Sequence, residues 1–363
     1  MIEKLRVECG AIPVKNSVLW VNPHFDLPFN LKEGEPSELG VFVVGNSSLP
    51  DISMVLQVDN YHGRSGFVGR FEFYDDKVIK YRDLDLKGAG YLSKNLDTGQ
   101  PEVAPIGRRD EESTWGIWRI EKSQREVGIT EDLTERQVRT NRIAAIILLE
   151  EIALPDGTKI SIAQAQKMGL LHPNEQPIVA PRLYRQRERY EHPDSLITQT
   201  VQDSKKFAEE ELGTQLSWQE FLVWYSQTSG TNLARVYRNY WHGSADMHNN
   251  TRMAELVDFG LGDASLSKRV PDLSWNVLRN YLENDYETTG KCLGRMVGDV
   301  QHTLKVKDLI PGTQFWAIFQ QAFNQESQIK MEIEEQFRRP KPRVSFTKKA
   351  PNIIERLRSL ARI

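Results

Sequence analysis

A change of hydrophobic period part-way along the chain restricts its fold more than any other feature. From Ile52 the apolar residues come in short β-branched and aromatic runs, ISMVLQV and then FVGRFEFYDDKVIKYRDLDLKGAG, punctuated by Gly and by an Asp-Asp pair. Runs of this kind read as a β-meander. From His192 onward they recur at helical spacing, as in SWQEFLVWYSQTSGTNLARVYRNYW, where Trp218, Phe221, Trp224 and Tyr225 read as helix core. Within the strand-rich half, IWRIEKSQREVGITEDLTERQ reads as one prominent helix with Gly128 as a blemish. RIAAIILLEEI is too continuously apolar to be amphipathic and reads as a buried strand. A PDGTK turn, a short helix around SIAQAQKMGLL and an extended PIVAPRLYRQRERYE complete that half. The order, strands with one helix and then helices, is an α+β pattern.

Later helices are expected over TVQDSKKFAEEELG, LSWNVLRNYLENDY, TTGKCLGRMVGDVQHTL and TQFWAIFQQAFNQESQIKMEIEEQF. Four segments result: an irregular extension with one or two short strands over 1–50, a strand-rich region over 51–192, a helical region over 193–335, and a tail over 336–363. The tail carries nine basic residues against the single acid Glu355, so +8 there and −11 in the body sum to the formal −3. Its RRPKPRVSFTKKAP part reads as an extended linker and PNIIERLRSLARI as an amphipathic helix. That helix either docks on its own domain or offers a basic arm to nucleic acid, an acidic partner or a membrane surface.

At 363 residues the chain is long enough for two domains or one large two-lobed unit. No apolar stretch approaches the roughly 20 residues of a membrane span, and Glu3 and Glu8 in MIEKLRVECGA are unlike a signal or transit peptide. A cytoplasmic protein is expected. Cys9 and Cys292 have no ligand spacing, which predicts reduced thiols.

The chemistry concentrates in WHGSADMHNNTRMAELVDFGLG, residues 241–262. Loop formers followed by Met253, Leu256 and Val257 predict a loop feeding a short strand with Asp258 at its end. Such a hairpin brings Asn and Asp side chains together. An amide oxygen and a carboxylate suit Mg2+, which takes oxygen ligands and few from the protein when phosphates supply the rest. Triphosphates also call for a Lys, a Gly-lined turn and a carboxylate that orients the Lys. Gly63, Gly66 and Gly69 in HGRSGFVG, Lys87 in LDLKGAG and Glu126 on the predicted helix are the candidates. Gly loop, Lys, helix Glu, apolar strand, helices and polar hairpin follow one another in the order of a bilobal protein-kinase-like fold.

LDLKGAG, QREVGITE followed by VRTNRIAAI, and HGSADMHNN upstream of VDFG resemble the selenoprotein O family over roughly residues 61–260. Its members are kinase-fold enzymes that transfer AMP rather than phosphate to protein hydroxyls. The resemblance implies ATP and Mg2+ as cofactors, and a protein Ser, Thr or Tyr hydroxyl as substrate. By the same resemblance Lys87 contacts phosphates and pairs with Glu126, Arg182 and Arg189 contact phosphates, and Asn249 and Asp258 bind the metal with Asn250 as neighbour. Where the family has an acidic residue before the metal-binding Asn this chain has His248, and Asp246 stands two residues earlier; either is a candidate base. The family's C-terminal Cys-selenocysteine motif is absent. His242 reads as a loop hydrogen-bonding residue. Arg185 and Arg187 extend the basic run between Arg182 and Arg189, on a face that is either solvated or phosphate-lined. A kinase transferring the γ-phosphate, and a nucleotide-binding pseudokinase scaffold, are the alternatives.

Overall fold

The computed structural model describes residues 7–45, 49–58, 65–94, 101–103, 114, 116–187, 190, 197–236, 251–257, 275–327, 331–333 and 344–346. The chain divides into two compact units, Met1–Val127 with Arg142–Arg185, and Gly128–Asn141 with Gln186–Ile363.

In the first unit the strands are β1 (Val7–Pro13), β2 (Asn16–Val21), β3 (Val41–Val43), β4 (Met54–Val58), β5 (Ser65–Tyr74), β6 (Lys80–Lys87), β7 (Leu92–Lys94), β8 (Pro101–Val103), β9 (Trp118–Arg119), β10 (Arg142–Ile143), β11 (Ala145–Leu149), β12 (Glu151–Ala153), β13 (Lys159–Ser161) and β14 (Pro177–Tyr184). Ten of them form one sheet in the order β2-β11-β14-β6-β5-β4-β1-β3, with β9 and β10 also on β14. Every one of these pairings is antiparallel. The first fifty residues, expected as an irregular extension with one or two short strands, therefore supply three. Pro and Gly break their periodicity, and their ladder partners are remote in sequence: Trp20 on β2 faces Ile146 on β11. The apolar run predicted as a buried strand is β10 and β11, with Ala145, Ile147 and Leu149 in the largest core cluster of this unit.

The Asp-Asp turn between β5 and β6 shows how local chemistry sets the meander. Asp75 accepts from the Lys77 and Ile79 amides at 3.0 and 2.7 Å with one oxygen. Its other oxygen takes the Arg142 guanidinium at 2.7 Å, tying the turn to β10. A short helix α2 (Ile162–Lys167) begins where the Ser161 hydroxyl caps the Gln164 amide at 3.2 Å.

Helix α1 (Ile120–Glu135) matches the predicted one, and the division into units falls within it at Gly128. The second unit contains α3 (Ile197–Leu212), α4 (Trp218–Val236), α5 (Trp275–Gly298) and α6 (Gly312–Ser327), with a π-helical turn over Asp299–Thr303. α3 reads as exposed by composition, yet Val201, Phe207 and Ala208 are fully buried. α4 opens on a reciprocal cap: the Glu220 amide donates to the Ser217 hydroxyl at 3.2 Å and the Ser217 amide to the Glu220 carboxylate at 2.7 Å. Phe221 and Tyr225 enter the core, while Trp218 and Trp224 pack on it partly buried.

Two expectations are corrected here. LSWNVLRNYLENDY and TTGKCLGRMVGDVQHTL are one continuous α5 rather than two helices, and Thr289 at the join turns its polar group back onto the helix: its hydroxyl bonds the Asp285 carbonyl at 2.9 Å. The last predicted helix ends at Ser327, and Met331–Ile333 (β15) pairs antiparallel with Val344–Phe346 (β16). Alternating Met-Glu-Ile has a strand period of two, which the ladder partner stabilises. The terminal helix expected over 351–363 lies outside the described residues.

α4 and α6 meet at Gly230, where a Cβ would stand 2.3 Å from the Phe319 carbonyl oxygen. Backbone cannot yield as a flexible side chain does, so Gly230→Ala is expected to cost about 1–3 kcal/mol. In Gly294→Ala, where a Cβ meets nothing within 4 Å, helix propensity instead adds up to about 1 kcal/mol. Urea unfolding midpoints of the two variants should move in opposite directions.

Candidate functional site: a buried charge network on one sheet face

Strand β6 alternates Asp83, Leu84, Asp85, Leu86, Lys87. Since neighbouring residues of a strand point to opposite faces, the three charged side chains share one face and the two leucines the other. Ladder register assembles the rest. Ser65 on β5 lies opposite Lys87, and Arg182 on β14 lies opposite Asp85. Trp118 on β9 lies opposite Ile178 on β14. Helix α1 contributes Glu126, fully buried.

The Lys87 ammonium donates to Glu126 Oε2 at 3.1 Å. Its Nζ also stands 3.7 Å from the centre of the Trp118 ring, a cation–π contact. Arg182 grips Asp85 with both ends of its fork, Nε to Oδ1 at 3.0 Å and Nη2 to Oδ2 at 3.1 Å, and Nη2 reaches the Ser65 hydroxyl at 2.7 Å. Its Nη1 lies 3.7 Å from Glu126 Oε1. Lys87, Glu126, Asp85 and Arg182 are each at most 5% exposed. Two cations and two carboxylates make a formally neutral set. Neutrality matters because an isolated buried charge is strongly destabilising, whereas a hydrogen-bonded, paired one is tolerated.

The glycines of KGAG have a backbone reason to be there. Gly88 has φ +96°, and a Cβ on it would meet the Ile178 carbonyl at 2.2 Å and Trp118 Cβ at 2.7 Å. The chain therefore turns away immediately after Lys87, with Trp118 packed where a side chain would have been.

Of the residues predicted from sequence, Lys87, Glu126 and Arg182 are brought together. Gly66 and Gly69, expected in a phosphate-facing turn, are instead inside β5, opposite Leu86 and Leu84, with a bulge between Phe67 and Gly69. Arg182 has its guanidinium engaged by Asp85 and Ser65 rather than presented outward. β14 ends at Tyr184, and Arg185 and Arg187 beyond it are 5% exposed each, so neither belongs to a solvated basic face. Gly63, Arg189, His242, Asp246, His248, Asn249, Asn250 and Asp258 lie outside the described residues. Asp85, Ser65 and Trp118 were not singled out by sequence reasoning, although the period-two alternation of DLDLK already places Asp85 beside Lys87.

The described middle of the polar hairpin, residues 251–257, is a buried turn in the second unit. The Thr251 hydroxyl receives the Met253 and Glu255 amides, both at 3.3 Å, and pairs with the Glu255 carboxylate at 3.2 Å. Asn232 of α4 donates to the Ala254 carbonyl at 2.6 Å, and the Leu256 amide to the Arg139 carbonyl at 3.0 Å. Arg252 is fully buried, with Nη1 on Asp299 at 2.7 Å and its guanidinium over the Tyr190 ring. Among the described residues there is no group of three or more His, Cys, Asp and Glu placed to hold a metal.

Donor chemistry at the network fits phosphate oxygens. It offers an ammonium held by a carboxylate, beside a Trp118 indole N–H that is buried without a hydrogen-bond partner among the described residues. For Mg2+ the fit lies in the donor types of Asn249 and Asp258, an amide oxygen and a carboxylate.

Removing one member of the pair strands its partner, so Glu126→Ala is expected to lower stability by about 3–5 kcal/mol. The double variant Lys87→Met with Glu126→Leu should recover most of that loss, as thermal melts would show; equal losses in single and double variants would mean that the charges are not coupled. In comparison with protein-family models and with curated protein sequences, no match to this chain is found.

Proposed function

We propose that the chain is an ATP- and Mg2+-dependent nucleotidyltransferase of bilobal protein-kinase-like fold that moves AMP onto a Ser, Thr or Tyr hydroxyl of a protein substrate. The buried Lys87–Glu126 pair is the observation that carries the proposal. A lysine at a strand end, fixed by a helix carboxylate, is what a phosphate-binding site of this type requires. The AMP rather than phosphate chemistry rests on the resemblance of KGAG, the Arg-Glu helix and the Asn-to-Asp interval to selenoprotein O proteins.

When bound, ATP with Mg2+ supplies an electrophilic phosphate and a stable leaving group. The chain's own residues do the remainder. Lys87 offers its ammonium to phosphate oxygens while Glu126 restricts its direction, and Trp118 shields it from water on one side. Asn249 and Asp258 supply the metal's protein ligands. Asp246 or His248 takes the hydroxyl proton; Asp246 is preferred, since the loops of kinase-like folds use a carboxylate in this role. Asp246 equally suits a kinase that transfers the γ-phosphate, which is the second reading; a nucleotide-binding scaffold is the third, favoured by His248 in the usual acidic position. A cytoplasmic location belongs to the proposal, as does a role for the basic tail in holding an acidic partner or nucleic acid. No helix among the described residues is long and apolar enough to cross a membrane.

ATP labelled at the α- or the γ-phosphate separates the readings: label from the α-position on protein supports AMP transfer, label from the γ-position alone supports a kinase, and neither supports a scaffold. Asp258→Ala is expected to abolish transfer in a folded protein, and Asn249→Ala to weaken it less, because an amide oxygen brings no net charge to the metal. With Asp246 as base, Asp246→Asn is the more damaging variant and the rate persists below pH about 6.5, the ordinary imidazole value. A His248 base would reverse both results, its acceptor lone pair being lost as pH falls through that value.

A further inference from the structure

Arg182 is the second cation of the network. It is 1% exposed, is chelated by Asp85, donates to Ser65, and directs Nη1 toward Glu126 Oε1 at 3.7 Å. Glu126 thus faces two cations, Lys87 at Oε2 and Arg182 at Oε1. How strongly Arg182 draws the carboxylate depends on how fully its own charge is met elsewhere, and the bidentate Asp85 contact is a strong competitor among the described residues, being short, charge-assisted and directly cross-strand.

We infer that Asp85, Ser65 and Arg182 are positioning residues for the nucleotide-binding lysine. Asp85 and Ser65 restrain the guanidinium, and the restrained guanidinium leaves Glu126 to Lys87 while fixing where its carboxylate stands. All four contacts lie in the first unit, across β5, β6, β14 and the start of α1. The functional consequence rests on the nucleotide reading, but the positioning itself does not, so the test addresses the Lys87 amine directly.

Brief acetic anhydride labelling of the full chain, with Lys87 quantified by mass spectrometry against the exposed Lys15, reports on the freedom of the amine. Alkylation of Cys9, fully buried in the core of the same unit, reports unfolding in the same sample. In Asp85→Asn the released Arg182 draws Glu126 away, and Lys87 labelling is expected to rise about tenfold with Cys9 still protected. Removing both competitors, Asp85→Leu with Arg182→Met, should bring Lys87 back to within about twofold of wild type. Ser65→Ala, which loosens only one restraint and is the gentler change should Asp85→Asn expose Cys9, is expected to raise labelling about threefold. Wild-type labelling in a folded Asp85→Asn or Ser65→Ala protein overturns the inference, as does a double variant as reactive as the single. Protection of wild-type Lys87 by Mg-ATP is the separate arm: its absence removes the nucleotide reading and leaves the positioning result standing.

Discussion

A carboxylate facing two cations, Glu126 with Lys87 on one oxygen and Arg182 near the other, is the interaction on which the first unit's functional reading depends. Burying four charges is unfavourable in itself, and mutual attraction in a low-dielectric interior offsets the cost only where geometry is good and the remaining lone pairs and protons are met. Arg182 illustrates the condition, since its fork matches the Asp85 carboxylate and one end also reaches a hydroxyl. Lysine could not replace it there, having no planar fork. Lys87, in contrast, is a point donor that meets the Glu126 carboxylate and the face of the Trp118 ring.

The network exists because β14 is buried along its whole length and pairs with β6, β9, β10 and β11. A strand so placed brings remote chain segments into one register: Trp118 arrives from β9, Asp85 and Lys87 from β6, and Arg182 from β14 itself. Gly88 then permits the close approach that packs Trp118 against the Lys87 strand end. A one-residue slip between β6 and β14 would send Asp85 and Arg182 to opposite faces, so the apolar face of the same strands, with Leu84, Leu86 and Leu183 buried, also protects the polar one.

In the second unit the comparable element is a buried turn. One hydroxyl, that of Thr251, organises the turn that follows the predicted metal-binding asparagine, and Asn232 and Arg139 tie its backbone to α4 and to the segment after α1. Buried backbone groups need partners, and a turn lined by Met253, Leu256 and Val257 finds them both in side chains and in other backbone groups.

Composition and period alone were enough for the α+β class and for α1 and α4, because these follow from local apolar spacing; the candidate lysine and helix carboxylate needed the KGAG and Arg-Glu motifs and the family resemblance as well. Of the three early strands one or two were expected but none could be placed, since short strands interrupted by Pro and Gly are stabilised by partners far along the chain. The end of α6 at Ser327 escaped such reasoning, since a ladder partner overrides helical propensity in Met331–Ile333. Sequence could nominate Arg182 but not its role. Whether a guanidinium faces a ligand or a neighbouring carboxylate is settled by strand register, and register is a property of how β6 and β14 pair, which no local pattern in either strand contains.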